Sequence, residues 1–564
     1  MQAVFFVFCE QRIAFAEQYN YQDKPMKRIV ILGDGYQAGK AARMVQRIHP
    51  KADLVWIADT DDHQYPLSIL ALLLNSGARV QDWPGIKARI KVGFERYRQD
   101  INLFPRKVKR IRIDSGESEI SFLTDRGTMS QSFDKALVFS PQIVQYPGQL
   151  NDNQHVWPSD PCVQYLVNNW ETIENPVVAG FDMSLVQALV TGGKKFVWVR
   201  TGNIFSGQVQ HFLDHGLEGL GVKIIKTDPD TSLKHILNNE TGMDRVNRPV
   251  FLCGHCRTDY ARLEAYGLKN PDIMRENSSD PDEKNVFIID PYGPVNEFCP
   301  GFSFATQLAR SLDAAESALT GAGQAASFPD MMFLNMGVLS SARVGLGATG
   351  VQEKGYTPEF ALIHGTHGIS GNKPYLLHMV MDKQTQKIIG MEAVGERAHE
   401  WANLAACHIR NNSTVRDVSG GDINWPDPTV NPFTRCARML ENKTRPGILG
   451  ITPAELNQSA LEGAEFIILD VRSTDEFARG RLPGAGNIPL NQLKKRIMEI
   501  PRFTPIVLYS MCSGRAYEAA RLLKGMGAKQ LYVLDGGYGL YNLDKDLSPL
   551  SRKQSGNATI CPGC

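Results

Sequence analysis

The first legible pattern is an apolar run, "KRIVILGDG" (27–35), that stops at glycine. It passes into "GKAARMVQRI" (39–48), where apolar positions recur at helical spacing. "ADLVWIAD" (52–59) is a second apolar run, so residues 27–59 predict strand, glycine turn, helix and strand. The alternation returns at "NPVVAGFDMSLVQALVTGGKKFVWVRTG" (175–202). Further on, "PYLLHMVMDKQTQKIIGMEAVG" (374–395) predicts strands, and "RAHEWANLAACHIRN" (397–411) predicts a helix. "KTRPGILGITPAELNQ" (443–458) reads as a linker and the N-cap of a new domain. Beyond it, "PIVLYSMCSGRAYEAARLL" (505–523) runs from an apolar strand through a Ser/Gly loop into a helix.

The two glycine turns differ. Gly33-Asp34-Gly35-Tyr36-Gln37-Ala38 has the spacing G-x-G-x-x-A between a strand and a helix, which lets a pyrophosphate approach a helix N-terminus. A carboxylate for the ribose hydroxyls is expected at the end of the second strand, where Asp59 follows Ala58. The second turn keeps only Gly180; Phe181 and Ser184 stand where glycines would admit a dinucleotide. That unit reads as a Rossmann-like scaffold that binds dinucleotide poorly or not at all.

Composition sets the outer limits. At 564 residues the chain predicts roughly three to four domains. A net charge of +1 gives no electrostatic case for nucleic acid. No apolar run approaches the roughly 20 residues of a membrane span. "MQAVFFVFCEQ" lacks a basic n-region, so no signal peptide is expected; "MKRIVILGDG" at Met26 reads like a natural beginning, and residues 1–25 as an extension or a misplaced start. Ten dispersed cysteines do not form a disulfide framework, which points to a reducing cytoplasm.

Two family resemblances rest on these residues. "FIILDVRSTDEFARGRLPGAGNIPL" (466–490) and "LYVLDGGYGLY" (531–541) make residues 446–550 resemble a rhodanese domain. Residues 27–445 resemble the FAD-dependent pyridine nucleotide-disulfide oxidoreductases of the coenzyme A-disulfide reductase type, some of which carry a C-terminal rhodanese domain. The support is the first glycine motif, the second βαβ unit and a final α/β domain with "KIIGMEAVG". The fold class implied is α/β: two Rossmann-like dinucleotide-binding domains, an α+β interface domain and a rhodanese domain. The expected divisions are 27–165 with 296–334 (FAD-binding-like), 166–295 (a degenerate NAD-binding-like domain), 335–445 (dimerisation-like), 446–550 (rhodanese) and a 551–564 tail.

This sequence departs from the reductase pattern at several places. Ser68 occupies the family's redox-cysteine position, Phe139-Ser140-Pro141 replaces an Ala-Thr-Gly-like turn, and Thr306-Gln307 replaces the Gly-Asp that meets the flavin. These losses argue against disulfide reduction by the family's own mechanism. In the rhodanese loop, a gapless register puts Ser510 at the nucleophile position, with Cys512 two residues further on. Either the nucleophile has been lost or a shifted loop lets Cys512 take over. Serine forms no persulfide, so sulfur transfer here requires Cys512. Helix N-termini stabilise anions and lower a cysteine pKa, and Arg515 adds positive charge to the loop.

Two Cys-x-x-Cys pairs remain: Cys253 and Cys256, between a predicted strand and helix, and Cys561 and Cys564 at the end of the chain. The first suits a dithiol/disulfide couple, with the N-terminal cysteine facing helix N–H groups. The second suits a tethered sulfur relay. Zinc or iron–sulfur ligation is the rival reading of both. Cys9, Cys162, Cys299, Cys407 and Cys436 are expected to behave as small buried hydrophobes.

The functional expectation is an FAD-linked oxidoreductase of persulfides, polysulfides or disulfides with an attached sulfur-handling domain. Cofactor-binding residues are Gly33, Gly35, Ala38 and Asp59; a role for NAD(P)H is doubtful. The partners are a small sulfur compound or a sulfur-carrier protein, and a second copy of the chain. The alternatives are a non-catalytic or sulfur-carrier paralogue and a metal-binding protein.

Overall fold

The computed structural model describes residues 28–33, 35–57, 102–103, 108, 110–124, 127–139, 142–145, 154–157, 160–180, 183–227, 248–253, 255–258, 260–268, 285–289, 304–320, 329, 331–336, 339–347, 351, 355–367, 373–421, 431–444, 447–501 and 503–543. The first unit forms as the pattern predicts: β1 (Arg28–Leu32), α1 (Gly35–Ile48), β2 (Asp53–Ile57) and, later, β3 (Lys135–Phe139). β1 is buried from Ile29 to Leu32, which is why it reads as an unbroken apolar run: a parallel sheet with both faces covered leaves no polar alternation. The five strands run in the order Val286–Ile289, β3, β1, β2, Asn102–Leu103, all parallel.

The second unit repeats this plan with β4 (Val177–Ala179), α2 (Met183–Thr191), β5 (Phe196–Thr201), α3 (Gly207–Gly219) and β6 (Val250–Cys253). Its parallel order is Val222–Thr227, β5, β4, β6, Gln154–Trp157. The two sheets therefore correspond strand for strand: β1 to β4, β2 to β5, β3 to β6. Each also borrows its outer strand across an expected boundary. Gln154–Trp157 precedes 165 yet joins the second sheet, and Val286–Ile289 precedes 295 yet joins the first. A short apolar strand carries no local sign of which sheet it will extend.

A third, antiparallel sheet has the order Met331–Leu334, Ser341–Gly345, β9 (Ile388–Val394), β8 (Lys373–Asp382), β7 (Pro358–His367). Helices α4 (Ala398–Arg410) and α5 (Pro432–Lys443) pack on it. The last sheet is parallel, in the order β10 (Ile448–Ile451), β13 (Leu531–Leu534), β12 (Ile506–Tyr509), β11 (Ile467–Asp470), Gly486–Asn487. Its helices are α6 (Pro453–Leu461), α7 (Thr474–Ala478), α8 (Gly514–Gly525) and α9 (Gly537–Leu543).

The stretch read as a linker is thus corrected: "ILGI" is β10, and only Thr452 caps the next helix, in a capping box with Glu455. One apolar cluster runs from Ile363, Met379 and Phe433 into Leu508, Ala519 and Val533, so the last two sheets share a core.

Candidate functional site

The loop between β12 and α8 is tied down on both sides of Cys512. Ser510 is 1% exposed; its hydroxyl accepts the Ala516 N–H at 3.3 Å, and its carbonyl accepts the Tyr538 N–H at 2.8 Å. Gly537 has φ +64°, and a Cβ there would collide with the Ser510 carbonyl, so the Gly536-Gly537 turn is what lets α9 pass under the loop. On the other side, Ser513 adopts the left-handed φ of 62° and donates its hydroxyl to the Leu534 carbonyl at 2.8 Å. The Gly514 N–H reaches the Cys512 carbonyl at 2.8 Å. Cys512 itself is half-buried at the head of α8.

Two arginines put positive charge near that thiol, Arg515 as expected from the loop's own helix and a second one that makes the direct contact. Arg515 lies in the first turn of α8, but its terminal nitrogens grip Glu476 at 2.6 and 2.7 Å. That hydrogen bond is the main reason the Glu476 carboxyl is held down at about 2. The guanidinium on the thiol comes from elsewhere: Arg435 of α5 donates from Nη2 to the Cys512 Sγ at 2.6 Å. Arg435 lies 77 residues upstream, in a helix whose pattern is simply amphipathic, so nothing in the sequence pairs it with Cys512.

Neighbouring contacts seat α5 and β7 against the last parallel sheet. Lys443 Nζ lies 2.6 Å from Asp535 and also reaches the Phe360 carbonyl, and the Gly536 N–H meets the Leu362 carbonyl at 3.0 Å. Next to Arg435, Cys436 is fully buried and donates to the Ala361 carbonyl at 3.3 Å; burial pushes its thiol up, out of reactive range. His364 of β7 lies against Gly539 and edge-on to Phe212 of α3, and burial lowers it to about 4, so it stays neutral near pH 7.

The two glycine turns are built alike. Gly33 has φ +138° with no room for a Cβ, which would lie 2.7 Å from the Phe139 Cβ; the Trp56 indole donates to the Gly33 carbonyl at 2.9 Å. Gly180 has φ +113°, a Cβ there would lie 2.7 Å from the Cys253 Cβ, and the Trp198 indole donates to the Gly180 carbonyl at 2.9 Å. Cys253 therefore occupies the position in the second unit that Phe139 holds in the first. Gly35 opens α1 and Ala38 is buried within it, as the first motif requires. At the end of β5 the buried Arg200 is spent on Asp214, at 2.5 Å.

The first Cys-x-x-Cys pair is not strand-to-helix. Cys253 ends β6, Cys256 lies in a second strand (His255–Thr258) paired with Gln142–Gln145, and the helix starts only at Tyr260. The N-terminal cysteine thus faces the Gly180 turn rather than that helix. Cys162 is buried as expected, whereas Cys407 is exposed. Asp59, Ser68, Phe181, Cys9, Cys299, Cys561 and Cys564 lie outside the described residues.

Residues 452–543 match the rhodanese-like domain family, and residues 330–431 match the dimerisation domain of pyridine nucleotide-disulphide oxidoreductases. The NAD(P)H sulfur oxidoreductase (CoA-dependent) of Pyrococcus abyssi is 23% identical over 464 residues, 74% of this chain and 99% of that protein. The reduced Bacillus anthracis CoADR-RHD structure aligns with a TM-score of 0.75 at 16% identity, over 92% of this chain and 98% of its own. The chain thus joins a segment matching the pyridine nucleotide-disulphide oxidoreductase dimerisation domain to a rhodanese-like domain, in a fold similar to that of the CoADR-RHD structure.

Another structure similar to this fusion is that of a NAD-dependent persulfide reductase from A. fulgidus, with a TM-score of 0.70 at 17% identity, over 91% of this chain and 99% of that one. YqhL of Bacillus subtilis is 44% identical over 71 residues; the match takes in 13% of this chain and spans only 56% of that protein's length. Among the described residues no helix is long and apolar enough to cross a membrane, and no three His, Cys, Asp or Glu side chains converge as a metal site.

Proposed function

We propose that this chain is a flavin-linked oxidoreductase of sulfur species (persulfides, polysulfides or disulfides) whose rhodanese domain accepts sulfane sulfur on Cys512. The observation that carries the reading is the position of Cys512: a half-buried thiol at the head of α8, in the reactive loop of a rhodanese fold, with Ser510 buried beneath it. The names of the P. abyssi and A. fulgidus proteins support the substrate class. Loading is a displacement. The Cys512 thiolate attacks the outer sulfur of thiosulfate, the S–S bond of the donor breaks with sulfite leaving, and a persulfide anion remains on Cys512.

Of the two turns, the first fits a dinucleotide better. Gly33 at its positive φ and Gly35 at the start of α1 bring the backbone and the helix N-terminus to the sheet edge, with Ala38 keeping the spacing of the motif, so FAD would be held there. Bound FAD would supply a two-electron store. The second turn retains the Gly180 backbone, but Phe181 and Ser184 interrupt its glycine set, so NAD(P)H is expected to bind more weakly. Cys253 and Cys256 are the proposed dithiol: their oxidation to a disulfide would reduce the persulfide, releasing hydrogen sulfide and restoring the Cys512 thiol. Cys561 and Cys564 would relay sulfur on a tether. A homodimer is proposed through the domain of residues 330–431.

The test combines a visible spectrum and metal analysis of the purified protein with mass spectrometry after thiosulfate or polysulfide treatment. Flavin bands and one added sulfur on the Cys512 peptide, lost in Cys512→Ser, support the proposal. Sulfur found only on Cys561 or Cys564 would make the domain a docking platform. A colourless protein with no modified cysteine would indicate a non-catalytic scaffold, and bound zinc or iron would favour metal ligation.

A further inference from the structure

We infer that the cation serving the sulfur loop is Arg435 of α5, so that anion binding at Cys512 is assembled across the seam between the dimerisation-like and rhodanese domains. The inference rests on the proposed role of Cys512 and adds a residue that no sequence motif marks.

Three observations converge. Arg435 Nη2 lies 2.6 Å from the Cys512 Sγ, and its guanidinium also borders Gly514 at the start of α8. Arg515, the arginine within the loop's own helix, has its terminal nitrogens engaged in a two-pronged bond to Glu476, which itself caps α7 through Ser473, so it acts on Cys512 only through its charge and without a hydrogen bond. Among the described residues no carboxylate pairs with Arg435, so its charge is left for the thiol and whatever the thiol carries.

The placement is held from behind. Lys443, two turns further along α5, is locked to Asp535 of the rhodanese domain at 2.6 Å, and the Gly536 N–H bonds to the Leu362 carbonyl at 3.0 Å. A planar guanidinium held in this way can stabilise a thiolate, the incoming thiosulfate dianion and the product persulfide anion in turn. The net charge of that step does not change: thiolate plus thiosulfate gives persulfide anion plus sulfite. The cation is needed to bring two anions together rather than to absorb new charge.

Arg435→Ala, Arg435→Lys and Arg515→Ala are compared in the full-length protein. Two readouts at fixed pH are the rate of sulfur gain on Cys512 from thiosulfate, and the ratio of Cys512 alkylation by iodoacetate to that by neutral iodoacetamide. Arg435→Ala is expected to slow sulfur gain about tenfold or more and to lower the ratio about fivefold, because the anionic reagents lose a cation at contact distance. Arg435→Lys should recover part of both, and Arg515→Ala should lower the ratio by less than Arg435→Ala does, because Arg515 acts on the thiol without touching it.

An unchanged ratio in Arg435→Ala, or a larger fall in Arg515→Ala, overturns the inference. The alkylation ratio needs no sulfur chemistry. A wild-type protein that gains no sulfur but whose ratio still falls in Arg435→Ala would overturn the proposed function and leave the anion site standing. If Arg435→Ala does not fold, Arg435→Gln and Arg435→Lys carry the same comparison.

Discussion

Lys443 and Asp535 form an ion pair with Nζ and Oδ2 2.6 Å apart and side chains only 2% and 4% exposed, tying the end of α5 to the rhodanese sheet. Burial raises the Asp535 carboxyl above its usual range, with Lys443 the strongest opposing influence. Removing one partner strands a buried charge, which typically costs about 3–5 kcal/mol. Lys443→Ala should therefore lower the urea midpoint by a corresponding amount. Lys443→Met combined with Asp535→Asn should recover most of it, since the paired loss leaves no lone charge.

The Arg515–Glu476 pair predicts a pH dependence. The Glu476 carboxyl falls from an ordinary 4.5 to about 2, chiefly through its hydrogen bond with Arg515. A depressed acid stabilises the fold above its unfolded value and loses that contribution as pH falls. The stability gap between wild type and Glu476→Gln should be constant above about pH 5, shrink from 4.5 downward and close near 2. Denaturation midpoints between pH 2 and 6 measure it; a gap that widens on acidification would contradict the pairing.

The matched glycines predict matched costs and unmatched consequences. Ala at Gly33 or Gly180 places a Cβ 2.7 Å from another Cβ at a positive φ. Each substitution should destabilise the protein by about 1–3 kcal/mol. Flavin retention should fall in Gly33→Ala and hold in Gly180→Ala, as read from the visible absorbance of the purified variants. Equal loss in both would mean that the first turn is not the principal flavin anchor.

Light scattering tests assembly. The sheet carrying β8 and β9 belongs to a segment that matches a dimerisation domain, so a mass twice that of one chain is expected at micromolar concentration. A mass equal to one chain would place that surface in another use.

Local patterns revealed the parts of this fold that local physics decides. Gly33 and Gly180 announced their turns because only glycine fits a positive φ against a neighbouring strand. β1, β4 and β12 announced themselves as apolar runs bounded by turn residues. β10 did not, because Pro446 and Gly447 before it and Thr452 after it resemble loop chemistry, while its strand character comes from pairing with β13. "CGHC" suggested a helix start, yet His255–Thr258 forms a second strand because Gln142–Gln145 supplies a partner. The loop thiol was legible and its arginine was not: Arg435 is set beside Cys512 by the packing of α5 against the last sheet and its helix α8, and periodicity carries no information about that.

The seam through which Lys443 meets Asp535 also bears on the smallest piece of this chain that would keep the proposed site whole. The segment recognisable as a rhodanese begins at residue 452, while the guanidinium that touches its thiol sits at 435. A fragment cut at the homology boundary would carry the thiol and leave its cation behind. On the proposed role of Arg435, the unit of ancestry and the unit of chemistry have different edges, and the functional edge lies upstream of the matched segment, at or before the Asn431 cap of α5.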